Sequence, residues 1–79
     1  MHNDIKTIVE LVLKEVMGRK RVDKVKQIMA SIDDRPDGIL VYLSHGATLG
    51  EAYDTQNKIK EAGLQIPEQI GNAVIYVTK

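Results

Sequence analysis

The stretch "SHGATLGE", residues 44–51, holds the side chains of this sequence that are best suited to chemistry. It follows an apolar run at 39–43 and precedes a polar segment with a helical pattern, so a strand should lead through this loop into a helix. A histidine at such a place can act as an acid–base group or accept a phosphoryl group, because its pKa lies near neutrality. Amides at a helix start can also bind an anion. A phosphate-binding or phosphoryl-transfer enzyme would use Ser44, His45, Gly46 and Gly50.

The same loop also has a structural interpretation. Gly46 and Gly50 are separated by three residues, which fits neither G-x-x-x-x-G-K-[ST] nor G-x-G-x-x-G, and no lysine follows closely. Thr48 and Glu51 have the spacing of a capping box, in which each side chain bonds the other residue's amide. The Glu51 carboxylate would also repel an anion at this position. We therefore predict a helix cap here and keep the enzyme as an alternative.

Metal and cofactor chemistry finds little support in the composition. Cysteine is absent, which excludes disulfides and thiolate–metal sites. The two histidines, His2 and His45, do not have the i, i+4 spacing of a helical metal site. The acidic residues Asp33, Asp34 and Asp37 lack the twelve-residue loop and terminal glutamate of a calcium site. We predict no catalytic residue, no metal and no cofactor.

A basic cluster supports a second alternative, nucleic-acid binding. Six of the eleven cationic residues belong to it: Lys14, Arg19, Lys20, Arg21, Lys24 and Lys26. Such side chains could bind phosphates, although no aromatic residue lies among them to stack on a base. The formal net charge of the chain is zero, with eleven basic and eleven acidic residues. The chain as a whole therefore has no field that attracts nucleic acid or a membrane surface.

The first helix is predicted to carry a protein interface. A stripe at three- and four-residue steps indicates a first helix that Asn3 or Asp4 can cap and that runs to about Met17: Ile5, Ile8, Val9, Val12 and Val16. Leu11, Leu13 and Met17 lie outside this stripe and widen the apolar arc to about two-thirds of the circumference. A small sheet cannot cover so wide an arc. We therefore predict that Leu11, Leu13 and Met17 contact another protein.

The remaining patterns predict one small domain over residues 1–79, of α/β or α+β class. They indicate a second helix at 22–32, forming a hairpin with the first, a turn at 33–38, a third helix at 49–62 and strands at 39–43 and 73–77. The near-continuous apolar character of 39–43 suggests burial on both faces. Residues 64–66 could be extended and 67–70 a helical turn. The order is helix, helix, strand, helix, strand, with a sheet of two or three strands covered by the helical hairpin. Parallel strands are favoured and an antiparallel arrangement stays open.

The functional prediction rests on the small size of the chain and on its lack of a convincing catalytic or metal-binding motif. A core in a chain below roughly 80 residues rarely supplies more than about 3–5 kcal/mol, so a partner is the expected extra support. No apolar run approaches the roughly 20 residues that cross a bilayer. We predict a cytoplasmic, non-catalytic protein–protein interaction module. It would be a regulator or inhibitor that docks on a host or partner protein, or on a second copy as a homodimer.

Overall fold

The computed structural model describes all residues 1–79 and has an α+β fold. Its helices are α1 (Asn3–Met17), α2 (Val22–Ala30) and α3 (Leu49–Glu61). Its strands are β1 (Asp33–Arg35), β2 (Gly38–Tyr42), β3 (Gln65–Ile70) and β4 (Val74–Thr78). The predicted first and third helices are confirmed to within one or two residues, and the second ends two residues early. None of the helices has the length and apolar character needed to cross a membrane.

The sheet has four antiparallel strands in the order β1-β2-β4-β3, where the patterns predict two or three. The two strands that the sequence does predict, β2 and β4, are antiparallel neighbours. The preference for parallel pairing is wrong because β3, rather than β4, is the strand that follows α3. Since β3 and β2 both run antiparallel to β4, α3 connects two parallel strands and β4 lies between them. The result is a split β-α-β unit.

The two edge strands are β1, which the patterns do not predict, and β3, of which they predict only an extended piece at 64–66. β1 is built from charged residues and pairs with β2 through the predicted turn at Pro36 and Asp37. β3 occupies residues for which the patterns suggest a helical turn at 67–70, and that suggestion is wrong. A register shift between Gln65 and Glu68 accommodates Pro67, which has no amide hydrogen for the ladder.

The core lies between one face of the sheet and the helices. Fifteen buried apolar residues form one cluster. The sheet supplies alternate residues of its two central strands, which are Ile39, Val41, Ile75 and Val77. The total accessible surface of 4701 Å² is close to the ~4,800 Å² expected for a compact monomeric protein of this mass. The single chain therefore closes its own core.

Ion pairs connect α1 to the sheet, to the C-terminal residue and to α3. Lys6 on α1 lies 3.1 Å from Asp34 on β1, and Lys79 pairs with Asp4. The Lys79 and Lys6 hydrogen bonds lower the pKa of Asp4 and of Asp34, respectively, below the ordinary value of 3.8. Their stabilisation is present above that ordinary value and is lost as the pH falls through the lowered pKa. On the other side, Glu15 of α1 bonds Lys58 of α3 at 3.0 Å and raises the pKa of Lys58.

Candidate functional site

The loop before α3 is occupied by its own capping bonds. Thr48 Oγ1 accepts from the Glu51 amide at 3.2 Å, and the Thr48 amide donates to Glu51 Oε1 at 2.9 Å, so the predicted capping box is confirmed. Arg21 binds both Glu51 and the loop. Its Nε lies 3.0 Å from Glu51 Oε2, and its Nη2 donates to the Gly46 carbonyl at 2.5 Å. The place that an anion would take at this helix start already holds a carboxylate.

The two glycines of this loop differ in their surroundings. A Cβ on Gly46 would lie 2.9 Å from the Lys24 carbonyl oxygen, so the absence of a side chain lets the loop approach α2 closely. A Cβ on Gly50 would meet no atom within 4 Å. Ser44 is exposed and its amide donates to the Ala73 carbonyl at 3.1 Å. These contacts explain the Ser44 amide and the close approach at Gly46 by packing, and the use of this loop as an anion site stays a prediction.

His45 bonds the residue that caps the C-terminus of α2 and stacks on a residue of β2; it forms no hydrogen bond with Ser44. Its Nδ1 lies 2.9 Å from Ser31 Oγ, and that hydroxyl donates to the Gln27 carbonyl at 2.9 Å. Nδ1 must then be the donor, because the serine hydrogen is already engaged. The ring stacks on Tyr42 with a centroid distance of 5.3 Å. No carboxylate bonds this imidazole, and no group of three or more His, Asp or Glu side chains could hold a metal ion.

The basic cluster is partly neutralised. Lys14 lies 3.6 Å from Glu10, and Arg21 is engaged with Glu51 and the Gly46 carbonyl. The other four members, Arg19, Lys20, Lys24 and Lys26, form no ion pair. The cationic surface offered to a nucleic acid is therefore smaller than the sequence suggests, and its role as a binding site stays a prediction.

The predicted interface on α1 divides between core and surface. Leu13 is fully buried and Met17 is 5% exposed, whereas Leu11 is 62% exposed. For Leu13 and Met17 the expectation of an exposed interface is wrong, because α1 packs against α2 and α3 as well as against β2. These neighbours cover most of the wide apolar arc. Leu11 alone of the three remains a candidate contact for another protein.

A surface that the sequence patterns did not single out lies on the other side of the sheet. Strand pairing places three aligned rows on this face: Arg35–Gly38–Thr78–Gln65, Asp33–Leu40–Tyr76–Glu68 and Tyr42–Val74–Ile70. We call this surface the open sheet face. No helix covers it, and its central side chains are only half-buried. The prediction that the run at 39–43 is buried on both faces is wrong, since Leu40 and Tyr42 are partly exposed.

A groove of about 390 Å³ crosses the open sheet face. Its floor is Leu40, Val74 and Tyr76, one wall is Arg35 with Pro36, and the other wall is residues 68–70. Ile70 is 73% exposed, which is unusual for a large aliphatic side chain on a strand. The groove therefore has an apolar floor, with the Arg35 cation on one rim and the Glu68 carboxylate on the other.

The edges of the sheet are less suited to binding than its face. β1 has only three residues, and β3 carries Pro67 and a register shift, so neither edge offers a long regular ladder to an added strand. Comparison of the chain with protein-family models, curated proteins and solved structures gives no match. The geometry of the open sheet face is accordingly the best guide to function.

Proposed function

We propose that this protein is a non-catalytic protein-binding module that docks through the open sheet face. The observation that supports this most strongly is the half-buried apolar row Leu40–Tyr76, with Val74 and the exposed Ile70 beside it. The core is already complete on the opposite face, so folding does not require these side chains to be apolar. Covering them with a partner gains roughly 25 cal/mol for each Å² of apolar surface removed from water.

The charges on this face favour a protein over a nucleic acid. Tyr42 and Tyr76 could stack on bases, but the only cation in the rows, Arg35, is paired with Asp33 at 2.9 Å. Glu68 adds a second carboxylate to the same row as Asp33. A phosphate backbone would meet more negative than positive charge. A module that binds without catalysing would serve as a regulator or inhibitor of the protein on which it docks.

The test is a binding comparison with two matched variants. Tyr76→Glu places a charge at the centre of the open sheet face, and Leu11→Asp places one on the exposed side of α1. Proteins captured from a lysate by the wild-type chain are identified, purified and titrated against each variant. We expect at least a tenfold loss of affinity for Tyr76→Glu, because a desolvated carboxylate costs about 1.4 kcal/mol or more, and less than a twofold change for Leu11→Asp.

Circular dichroism and urea unfolding of both variants show whether they remain folded. If Leu11→Asp removes binding and Tyr76→Glu keeps it, docking occurs through α1 and the proposal is wrong. Binding that survives in both variants would place the contact elsewhere and contradict it equally. If Lys20→Glu also lowers the affinity, and the wild-type chain binds RNA, the basic cluster is favoured as the binding site instead.

A further inference from the structure

We infer that the partner presents a basic amphipathic α-helix, which lies on the open sheet face and places a lysine or arginine against Glu68. This inference rests on the proposed function, since it names the chemistry of the partner for the same surface. Three properties of the face support it: a free carboxylate beside an aromatic ring, an apolar floor with the width of one helix, and edges that are unsuited to an added strand.

The Glu68 carboxylate and the Tyr76 ring together form a site for a cation. Strand pairing sets Glu68 directly opposite Tyr76, and both side chains belong to the open sheet face. Directly opposed residues have Cβ atoms about 4.5–5.5 Å apart, so a cation over the tyrosine ring can also reach the carboxylate. Glu68 is exposed and forms no ion pair within the chain. A lysine or arginine of the partner supplies the missing counter-charge.

The charges of the face as a whole also favour a basic partner. Its rows hold two carboxylates, Asp33 and Glu68, and one cation, Arg35. Arg35 Nη2 binds Asp33 Oδ2 at 2.9 Å, so these two charges compensate each other and the charge of Glu68 is left. Asp37, in the turn beside Arg35, is exposed and forms no ion pair either. An acidic peptide, an anionic membrane or a second copy of this face would bring further negative charge against it.

The apolar floor matches the width of one helix. Leu40, Val74 and Tyr76 form the floor of the groove, and Ile70 lies beside it with 73% of its surface exposed. The outer strands β1 and β3 are separated by three strand spacings, or roughly 14 Å. A helix with its side chains is about 10–12 Å wide, so one helix fits between the two walls. Its apolar stripe would cover the floor, while a basic residue at the border of the stripe meets Glu68.

A helix suits this face better than an extended peptide does. An extended segment needs hydrogen-bond partners for its backbone, and it takes them from a sheet edge. β1 has only three residues, and β3 contains Pro67 and a register shift, so neither edge supplies a regular ladder. A helix bonds its own backbone and can therefore lie on side chains alone. The helices of this chain cover the other face of the sheet, so the partner's helix would complete a layer on each side.

The experiment is a selection from a displayed library of helical peptides that are about 18 residues, or five turns, long. Each peptide has a leucine stripe at positions i, i+3, i+4 and i+7, and its other positions are randomised. We expect peptides selected by the wild-type chain to gain Lys and Arg over Asp and Glu at the borders of the stripe, relative to the unselected library. The tightest peptide is then synthesised and titrated against variants of the chain.

Glu68→Lys should weaken the binding of this peptide about tenfold, because it sets like charges against each other. The matched control is Glu61→Lys, which changes the net charge equally at an exposed position in the helical layer. It should leave the affinity within about twofold of wild type, since salt screens a charge outside the contact. Each Lys or Arg of the peptide is also replaced by Glu in turn. One such peptide should bind Glu68→Lys within about threefold of the original pair.

The outcomes separate this inference from the proposed function. Selected peptides without an excess of basic residues overturn the inference, and so does an empty selection, an affinity that Glu68→Lys leaves unchanged, or equal weakening by Glu61→Lys. In each of these cases the proposed function stands if a captured protein still binds in a Tyr76-dependent manner. Peptides that bind Tyr76→Glu as tightly as wild type contradict both, because their contact lies outside the open sheet face. Tyr76-dependent self-association in sedimentation equilibrium would make a second copy the occupant and overturn the helix.

Discussion

Leu13→Asp is expected to leave the chain unfolded at 25 °C. Leu13 is fully buried in the single chain, on the side of α1 that packs into the core. Truncation of a buried leucine to alanine alone costs about 2.7–5 kcal/mol, and an unpaired buried carboxylate adds to that cost. A core of this size rarely supplies more than about 3–5 kcal/mol. The substitution therefore removes more free energy of unfolding than the fold has available.

Leu11→Asp is the matched control, two residues away on the same helix. Leu11 is 62% exposed, so we expect the free energy of unfolding of the Leu11→Asp variant to stay within about 0.5 kcal/mol of wild type. Urea titrations followed by circular dichroism measure both variants. A Leu13→Asp protein that unfolds at the wild-type urea concentration would show that Leu13 is not part of the core.

Gly38→Ala is expected to cause the second largest loss of stability. Gly38 begins β2 opposite Thr78 of β4, and a Cβ there would lie 2.1 Å from the Val77 carbonyl oxygen. That atom belongs to the backbone of the neighbouring strand, so the two central strands must separate to admit a methyl group. Overpacking of this kind costs typically about 1–3 kcal/mol and more where a backbone must move. We expect a loss of about 3 kcal/mol in urea unfolding.

Gly50→Ala provides the opposite expectation in the same chain. Gly50 lies in the first turn of α3, where an added Cβ meets no atom within 4 Å. Alanine in a helix is favoured over glycine by roughly 0.5–1 kcal/mol, so this variant should be slightly more stable than wild type. If Gly38→Ala unfolds at the same urea concentration as Gly50→Ala, the close approach of β2 to β4 is not as described.

Local signals allowed the helices and the central strands to be predicted. The stripe that starts at Ile5, the capping box of Thr48 with Glu51, and the apolar runs of β2 and β4 each depend on residues close in sequence. Capping in particular is a bond between residues three apart, which a spacing can reveal without knowledge of the fold. The order of elements after α3 was predicted incompletely, because β3 was suggested only as an extended piece at 64–66.

Of the edge strands, only a short extended piece at 64–66 could be predicted in this way, and the order of the strands in the sheet could not. β1 consists of Asp33, Asp34 and Arg35, whose composition is that of a loop, and it is a strand only because β2 pairs with it. β3 contains Pro67, a residue that usually argues against a strand. Both depend on pairing with distant residues, which tertiary context decides.

The sequence patterns do not reveal the open sheet face because the inward-facing and outward-facing residues of the central strands are both mostly apolar. Leu40 and Tyr42 face outward and Ile39 and Val41 inward, yet all four are apolar or aromatic, so the run resembles a strand buried on both faces. The width of the apolar arc on α1 was detected correctly, but three neighbouring elements cover most of it. A sequence shows how much apolar surface exists, and only the packing shows which part of it stays exposed.

The most direct test of the central claim is a methyl NMR titration. The chain is labelled at Leu, Val and Ile methyl groups, and unlabelled binding partner, or the selected peptide in excess, is added. We expect resonances of Leu40, Ile70 and Val74 to shift or broaden while those of Leu11 and Leu49 on the helices stay in place. Changes confined to Leu11 and Leu49, with the three sheet residues unmoved in the bound state, would show that the open sheet face is not where this protein binds.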